Sequence, residues 1–141
     1  MSQADTPTDD VDEPEEQAEL SFEEGRQQTK RYDNLTKEYH AELPEGGVWV
    51  FEFQMLDNEE ELIEANTTVS KGREGVQEDT DIESLRYDAF VNGVVDAPDG
   101  FPLSKTKIKR ADKLTRKIVK QVGDEVLQFT EAKPETVQKF L

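Results

Sequence analysis

One short segment, Val48–Met55, restricts the folds open to this chain more than any other part of the sequence. Its large apolar side chains recur at every second position, so a β-strand places four of them on one face: Trp49, Phe51, Phe53 and Met55. Only 33% of the 141 residues are apolar, whereas an ordinary domain has roughly 45–50%. The aromatic face is therefore expected in the core. The strand needs a mate, either the segment around residues 67–70 or a strand of a second copy.

The first 24 residues carry negative charge only. They contain ten acidic side chains and neither lysine nor arginine, so they bury too little apolar surface to offset the entropy of an ordered chain. We predict a disordered acidic tail over residues 1–24 and a single small domain over residues 25–141. The tail is either a solubilising extension, which the composition favours, or an arm that mimics DNA or recruits a partner.

The charge of the whole chain limits its partners. Thirty-three acidic residues oppose 17 basic ones, giving a formal net charge of −16. Such a charge repels a phosphate backbone, so general nucleic-acid binding is not expected. A basic partner fits this charge, and so does a halophilic source, although lysine outnumbers arginine here.

Absent residue types and segments narrow the setting further. The sequence has no cysteine, which excludes disulfides and thiolate chemistry. Neither a signal peptide nor an apolar run long enough to cross a bilayer is recognisable. We therefore expect a soluble protein of the cytoplasm that has no membrane partner.

The segment before the strand has a helical pattern. Ser21–Glu24 has the form of a capping box, and apolar residues at helical spacing continue as far as residue 43: Tyr32, Leu35, Tyr39 and Leu43. Pro44–Gly47 ends this predicted helix. After the strand, residues 57–65 read as a short helix with an acidic first turn, and residues 67–80 read as a loop.

Two longer amphipathic helices are predicted in the second half. The first begins at Asp81 and stops at the turn Pro98–Gly100; its apolar residues are Ile82, Leu85, Ala89, Phe90, Val91, Val94 and Val95. The second runs from about residue 107 or 109 to residue 130, with an apolar stripe of Leu114, Ile118, Val122, Val126 and Phe129. The predicted fold is α+β and predominantly helical, with a short β-hairpin or strand and two main amphipathic helices.

The residues needed for catalysis are scarce. Nucleophilic catalysis places a serine, threonine or cysteine beside a base, and the only histidine, His40, lies among charged residues that suggest an exposed position. The acidic runs lack the spacing of a calcium-binding loop. We expect a protein that is not an enzyme and uses neither a metal nor a cofactor.

Eight cations, opposed only by Asp112, cluster between residues 105 and 120: Lys105, Lys107, Lys109, Arg110, Lys113, Arg116, Lys117 and Lys120. On a helix several of them flank the apolar stripe, which gives a candidate set of partner-binding residues: Lys109, Lys113, Leu114, Arg116, Lys117, Ile118, Lys120 and Val122. These cations either neutralise acids of the same chain, which is slightly favoured, or bind an acidic protein. Nucleic acid is the third alternative.

The order of elements from Val48 to Phe129 resembles the tail assembly chaperones of long-tailed phages and archaeal tailed viruses. A strand leads into an acid-rich helix, and two helices flank the segment Val94-Val95-Asp96-Ala97-Pro98-Asp99-Gly100-Phe101-Pro102-Leu103. That segment is similar to the V-V-D-P-D-G-x-P-L turn of the family. Ala97 is inserted relative to that pattern, and the acidic tail is an addition to it.

The resemblance implies a non-enzymatic chaperone in the host cytoplasm. Such proteins bind the long helical tape measure protein and recruit tail tube subunits, so the implied partner is a protein, with a second copy of the chain as a further candidate. Two alternatives stay open: a structural virion protein, such as a minor tail or head–tail connector component located in the virion, and an acidic regulator that mimics nucleic acid.

Overall fold

The computed structural model describes residues 18–132 of the chain. The chain divides into two units, Met1–Tyr32 and Asp33–Leu141. Of the described residues, 48% are helical and 25% lie in strands. The elements, in chain order, are α1 (Phe22–Asp33), β1 (Thr36–Glu42), β2 (Val48–Gln54), α2 (Glu59–Ala65), β3 (Thr67–Gly72), β4 (Gly75–Thr80), α3 (Ile82–Gly93), β5 (Val94–Asp96), α4 (Lys105–Lys109) and α5 (Lys113–Glu131).

Helix α1 starts where the sequence predicts a helix to start. The Ser21 hydroxyl accepts a hydrogen bond from the Glu24 amide at 3.2 Å, and the Glu24 carboxylate accepts one from the Ser21 amide at 2.9 Å. These reciprocal bonds satisfy two backbone donors of the first turn and confirm the capping box. Most of the predicted acidic tail lies outside the described residues.

The main sheet has three antiparallel strands in the order β1-β2-β5. Strand β2 is central and confirms the strand predicted from Val48. It pairs with β1 and β5, so both pairing partners expected from the sequence were wrong. All seven residues of β1 pair with β2 without interruption, from Thr36 opposite Gln54 to Glu42 opposite Val48. The pairing of β2 with β5 contains a register shift.

The prediction of a predominantly helical fold is therefore wrong. The helix predicted up to Leu43 ends at Asp33, and the chain continues as β1 because pairing with β2 places Tyr39 and Ala41 on the inner face of the sheet. An apolar spacing of three and four residues fits a helix, but tertiary pairing overrides so weak a signal. The loop predicted over residues 67–80 is a second, two-stranded sheet.

This second sheet is a hairpin of β3 and β4. A two-residue turn, Arg73–Glu74, joins Gly72 to Gly75, and Gly75 adopts φ 110°, which glycine alone reaches without strain. All but the first of its strand residues are exposed, so their side chains show no apolar alternation. Strand prediction depends on that alternation, which is why the sequence did not reveal the hairpin.

The core lies between the inner face of the main sheet and helices α3 and α5. Phe51 and Phe53 of β2 are fully buried, as are Phe90 of α3 and Val122 and Val126 of α5. Phe51 contacts Phe90 edge-on with ring centroids 5.8 Å apart, and Phe53 contacts Phe129 in the same manner at 5.7 Å. The prediction that the aromatic face of β2 forms the core is confirmed for Phe51 and Phe53, whereas Trp49 and Met55 are partly exposed.

The segment between α3 and α5 holds the turn that the sequence predicts. The Phe101 amide donates to the Pro98 carbonyl at 3.0 Å, and Gly100 adopts φ 80°. The turn brings the Phe101 ring against Trp49 and Phe51, with centroid distances of 5.1 and 5.0 Å. The turn thus closes one end of the core, so its sequence has a packing role.

The single long helix predicted from about residue 107 is two helices. Helix α4 ends at Lys109, and α5 begins after Asp112, whose carboxylate accepts hydrogen bonds from the Thr115 amide at 3.1 Å and from the Thr115 hydroxyl at 2.8 Å. This N-cap fixes the start of α5. Between residues 18 and 132, no helix is both long and apolar enough to cross a membrane.

Candidate partner-binding surface

The structure separates the eight predicted partner-binding residues into three groups. Ile118 and Val122 belong to the core, with 4% and 0% of their surface exposed. Lys120 and Arg116 are held within the fold: Lys120 pairs with Glu83 of α3 at 3.1 Å, and the Arg116 guanidinium donates to the Ala111 carbonyl. The remaining four residues are exposed: Lys109, Lys113, Leu114 and Lys117.

Two of the eight cations neutralise acids of the same chain, as the favoured interpretation predicts. Lys105 lies 3.1 Å from the Asp88 carboxylate and donates to the Ser84 hydroxyl at 2.6 Å. Lys120 pairs with Glu83. Both acids lie on α3, so these pairs tie α4 and α5 to α3. Because they are partly exposed, each contributes only about 0–1 kcal/mol.

Five other cations have no such role. Their side chains are exposed and make neither an ion pair nor a hydrogen bond with residues 18–132; we call them the basic corner: Lys107, Lys109, Arg110, Lys113 and Lys117. They lie at the end of α4, in the following turn and on the first turns of α5. The net charge of the chain is −16, so this corner is a local region of positive potential on a negatively charged protein.

An apolar residue accompanies the basic corner. Leu114 is 42% exposed and borders a groove of about 390 Å³ between α5 and the turn from β1 to β2. Leu43 and Pro44 line the other side of this groove, and Lys117 and Ile118 lie along α5. A side chain of a partner that entered here would contact Leu43, Pro44 and Leu114, and it would also meet the charged side chains of Lys117 and Glu42.

The outer surfaces of α3 and α5 expose fewer apolar residues to a partner than the sequence suggests. Their apolar stripes face each other and the sheet, with Leu85, Phe90, Val119, Val122 and Val126 all buried. A partner helix cannot replace these contacts without unfolding the domain. Binding to the folded chain must therefore use exposed residues such as those of the basic corner.

One titratable pair was not recognised from the sequence. Burial, a hydrogen bond to the Glu131 carboxyl, and the negative charges of Glu131 and Glu60 raise the pKa of Glu59 from 4.5 to about 7. The Oε2 atom of Glu59 is buried and has no hydrogen-bond partner among residues 18–132. A proton shared with Glu131 supplies the missing donor. Among 33 acidic residues no sequence signal distinguishes this one.

The pair predicts a pH dependence of stability. Because the folded-state pKa exceeds the ordinary value of 4.5, the contribution of Glu59 is present below pH 4.5 and is lost as the pH rises through about 7. As the pH rises through this range, we expect the free energy of unfolding of the Glu59→Gln variant to fall less than that of the unmodified chain. The expected difference is on the order of 1–2 kcal/mol, a value reduced for solvent screening. Urea unfolding at pH 5, 6, 7 and 8 measures it.

The matched control for this prediction is Glu61→Gln. Glu61 lies in the same first turn of α2 but is exposed, so its variant loses one negative charge without touching Glu131. The control is expected to follow the pH profile of the unmodified chain. If the Glu59 and Glu61 variants had parallel profiles, the shared proton would not contribute to stability.

Other chemistry finds little support in the described part of the chain. Residues 18–132 contain no group of three histidine, cysteine, aspartate or glutamate side chains placed to hold a metal ion. His40 is exposed, and its ring nitrogen lies 3.0 Å from the Glu38 carboxylate on the same strand.

Comparison with known proteins gave no match: no family model fits the chain, and no curated sequence and no solved structure is similar to it.

Proposed function

We propose that the chain is a non-enzymatic adaptor that binds an acidic amphipathic segment of a partner protein at the basic corner. The observation that carries this proposal is the set of five exposed cations without partners among residues 18–132, in a chain whose net charge is −16. Cations that served only to neutralise the chain's own acids would be expected to lie beside them, as Lys105 and Lys120 do.

The neighbouring groove adds an apolar component to this charge. An acidic segment pairs with Lys109 and Lys113, while an apolar side chain on its other face contacts Leu114 and Pro44. Ion pairs at an exposed rim orient a partner and accelerate its association, whereas the apolar contact slows its release. A nucleic acid has the negative charge that could pair with the basic corner, but the net negative charge of the whole chain repels its phosphate backbone. The proposed partner is therefore a protein.

Within this class, we propose a viral tail assembly chaperone of the host cytoplasm, with the tape measure protein as the partner and tail tube subunits as its second client. Support comes from the element order on which the resemblance is based. Strand β2, the acid-rich helix α2, helix α3, the turn at Pro98–Gly100 and the long helix α5 occur in this order, with the β3–β4 hairpin, β5 and α4 between them. The acidic surface elsewhere favours solubility of a complex with an aggregation-prone client.

A co-purification experiment tests the proposal. The tagged full chain is expressed with a candidate tape measure protein and purified at matched low and high salt. We expect the unmodified chain to retain the partner in soluble form. The double variant Lys109→Glu with Lys113→Glu is expected to lose at least tenfold in affinity, because two attractive contacts become repulsive. Glutamate is favourable at Lys113, in the first turn of α5, and unfavourable at Lys109, in the last turn of α4, so circular dichroism checks that the double variant is folded.

The matched control reverses two cations elsewhere. Lys71→Glu with Arg73→Glu changes the net charge equally, but at the exposed tip of the β3–β4 hairpin, and it is expected to bind as the unmodified chain does. Equal retention of the partner by the corner variant would contradict the proposed site. Failure of the unmodified chain to retain the partner would contradict the assignment as a tail assembly chaperone.

Two further outcomes identify the alternatives. A variant that lacks residues 1–20 keeps the capping box at Ser21 and is expected to bind the partner normally. If only the complete chain bound, and captured basic DNA-binding proteins, the regulator that mimics nucleic acid would be favoured. If the chain remained in finished particles in fixed stoichiometry, the structural virion protein would be favoured.

A further inference from the structure

A second groove, of about 490 Å³, lies between helix α2 and the β3–β4 hairpin. We call it the acidic groove, because three of its six lining residues are glutamates: Glu60, Ile63, Glu64, Thr67, Val69 and Glu78. It shares no residue with the basic corner or with the groove beside that corner. The acidic groove is therefore a separate surface from the one assigned above to an acidic partner.

The hairpin contributes an apolar strip to this groove. In the hairpin register, Val69 lies opposite Glu78 and Lys71 lies opposite Val76. Opposite residues share a face of a strand pair, as do residues two apart on one strand, so Val76 is on the same face as Val69 and Glu78. Val69 and Val76 are 55% and 63% exposed. As diagonal neighbours, these two valines form one exposed apolar strip.

Helix α2 forms the opposite wall of the groove. Glu60, Ile63 and Glu64 are three and four residues apart, so they lie on one side of the helix. Ile63 is half-buried and lies between the two glutamates. The carboxylates of Glu60, Glu64 and Glu78 are exposed, and none makes an ion pair or a hydrogen bond with residues 18–132. The groove thus combines apolar side chains with unpaired negative charge on both walls.

Solvation accounts for exposed carboxylates but not for the valines beside them. An isolated two-stranded hairpin is only marginally stable in water, and packing of one face against another surface stabilises it. Apolar residues that lie together within a polar rim are typical of surfaces that bind other proteins. The charge defines the partner: residues 57–80 contain eight acidic and two basic side chains, so the local potential attracts a cationic segment.

We propose that the acidic groove binds a basic amphipathic segment of a partner protein. Lysine or arginine side chains of that segment pair with the three carboxylates, and its apolar side chains contact Ile63 and the two valines. The same carboxylates repel a phosphate backbone and an anionic membrane surface. A metal ion is not the occupant, because no three acidic side chains within residues 18–132 are placed to hold one. Opposite charges make the acidic groove and the basic corner select different segments.

Fluorescence anisotropy of the full chain with two labelled peptides of equal length and charge tests this inference. In the first peptide, lysines and leucines occupy opposite faces of a helix; in the second, serines replace the leucines. At high salt, attraction by the other acids of the chain is screened. We expect the leucine peptide to bind about tenfold more tightly there, because only it buries apolar surface. Equal affinities for the two peptides would overturn the inference.

A pair of charge variants locates the binding. Glu64→Gln with Glu78→Gln removes one carboxylate from each wall and is expected to weaken binding of the leucine peptide about tenfold at low salt. The matched control, Glu61→Gln with Glu74→Gln, makes the same charge change on α2 and the hairpin but outside the groove. We expect it to weaken binding by less than about twofold. Equal losses for the two variants would contradict binding in the groove.

A second variant tests the apolar strip. Val69→Thr with Val76→Thr keeps the β-branched shape that favours strands and is expected to abolish the preference for the leucine peptide at high salt. A retained preference would contradict the proposed contacts. Sedimentation equilibrium without peptide tests a second copy as the occupant: self-association that the groove variant loses and the control keeps would overturn the assignment to another protein. Circular dichroism checks that each variant is folded.

The outcome is independent of the proposed function. None of the altered residues belongs to the basic corner, so these variants are expected to retain the acidic partner as the unmodified chain does. Loss of peptide binding with retention of that partner is therefore assigned to the acidic groove alone.

Discussion

Replacing Gly123 with alanine is expected to destabilise the domain by about 3 kcal/mol or more, which is a large fraction of the total stability of a small protein. Helices α3 and α5 cross at this residue. A β-carbon there would lie 2.1 Å from the carbonyl oxygen of Arg86 and 2.8 Å from its carbonyl carbon. The atoms in the way belong to the backbone of α3, so the overlap is relieved only by separating the helices.

The higher helix propensity of alanine opposes this destabilisation only weakly. Alanine favours a helix over glycine by about 1 kcal/mol, which does not compensate for the lost packing of Val119, Val122 and Val126 when α5 moves. Urea unfolding followed by circular dichroism measures the difference. Gly25→Ala is the matched control, because a β-carbon at Gly25 in α1 has no neighbour within 4 Å; it is expected to cause no loss. Equal midpoints for the two variants would contradict the close helix crossing.

Replacing Phe51 with alanine is expected to cost about 3–5 kcal/mol. The Phe51 ring is fully buried and contacts Phe90 and Phe101, and Phe101 in turn contacts Trp49. Removing it leaves a cavity between β2, α3 and the turn after β5. The surrounding elements are fixed by backbone hydrogen bonds and cannot collapse into that space.

The control for Phe51 lies on the same strand. Val50 points to the opposite face of β2 and is 38% exposed, so Val50→Ala is expected to cost less than about 1 kcal/mol. The fluorescence of Trp49 reports the change locally, and urea unfolding reports it globally. A small loss for the Phe51 variant would mean that the aromatic residues do not form the central packing of the domain.

The parts of the fold that the sequence predicted share one property, which is a local signal that agrees with the tertiary contacts. Strand β2 has a period of two because one of its faces is the core, and the stripe from Ile118 to Phe129 has a helical period because it packs on the same core. The capping box at Ser21 and the turn at Pro98–Gly100 depend on neighbours within four residues. Such features can be read without knowing the fold.

The missed parts depend on distant partners. Strand β1 pairs with β2 although Tyr32, Leu35 and Tyr39 are spaced as in a helix, and the closeness of α3 to α5 depends on the missing side chain at Gly123. In the candidate site, the basic cluster was visible in the sequence. The division of this cluster into paired and unpaired cations was not visible, because the acids that pair with Lys105 and Lys120 lie on α3, more than 15 residues away.

The hairpin of β3 and β4 has a consequence for how this fold could change over time. Its two ends meet at the base, where the Asp81 amide donates to the Asn66 carbonyl at 2.8 Å and the Thr67 and Thr80 hydroxyls lie 2.9 Å apart. The chain therefore leaves and re-enters the domain at one point. Since the hairpin contributes no residue to the core, segments of other lengths and sequences can replace it without disturbing the junction between α2 and α3. This position is a natural place for related chains to diverge.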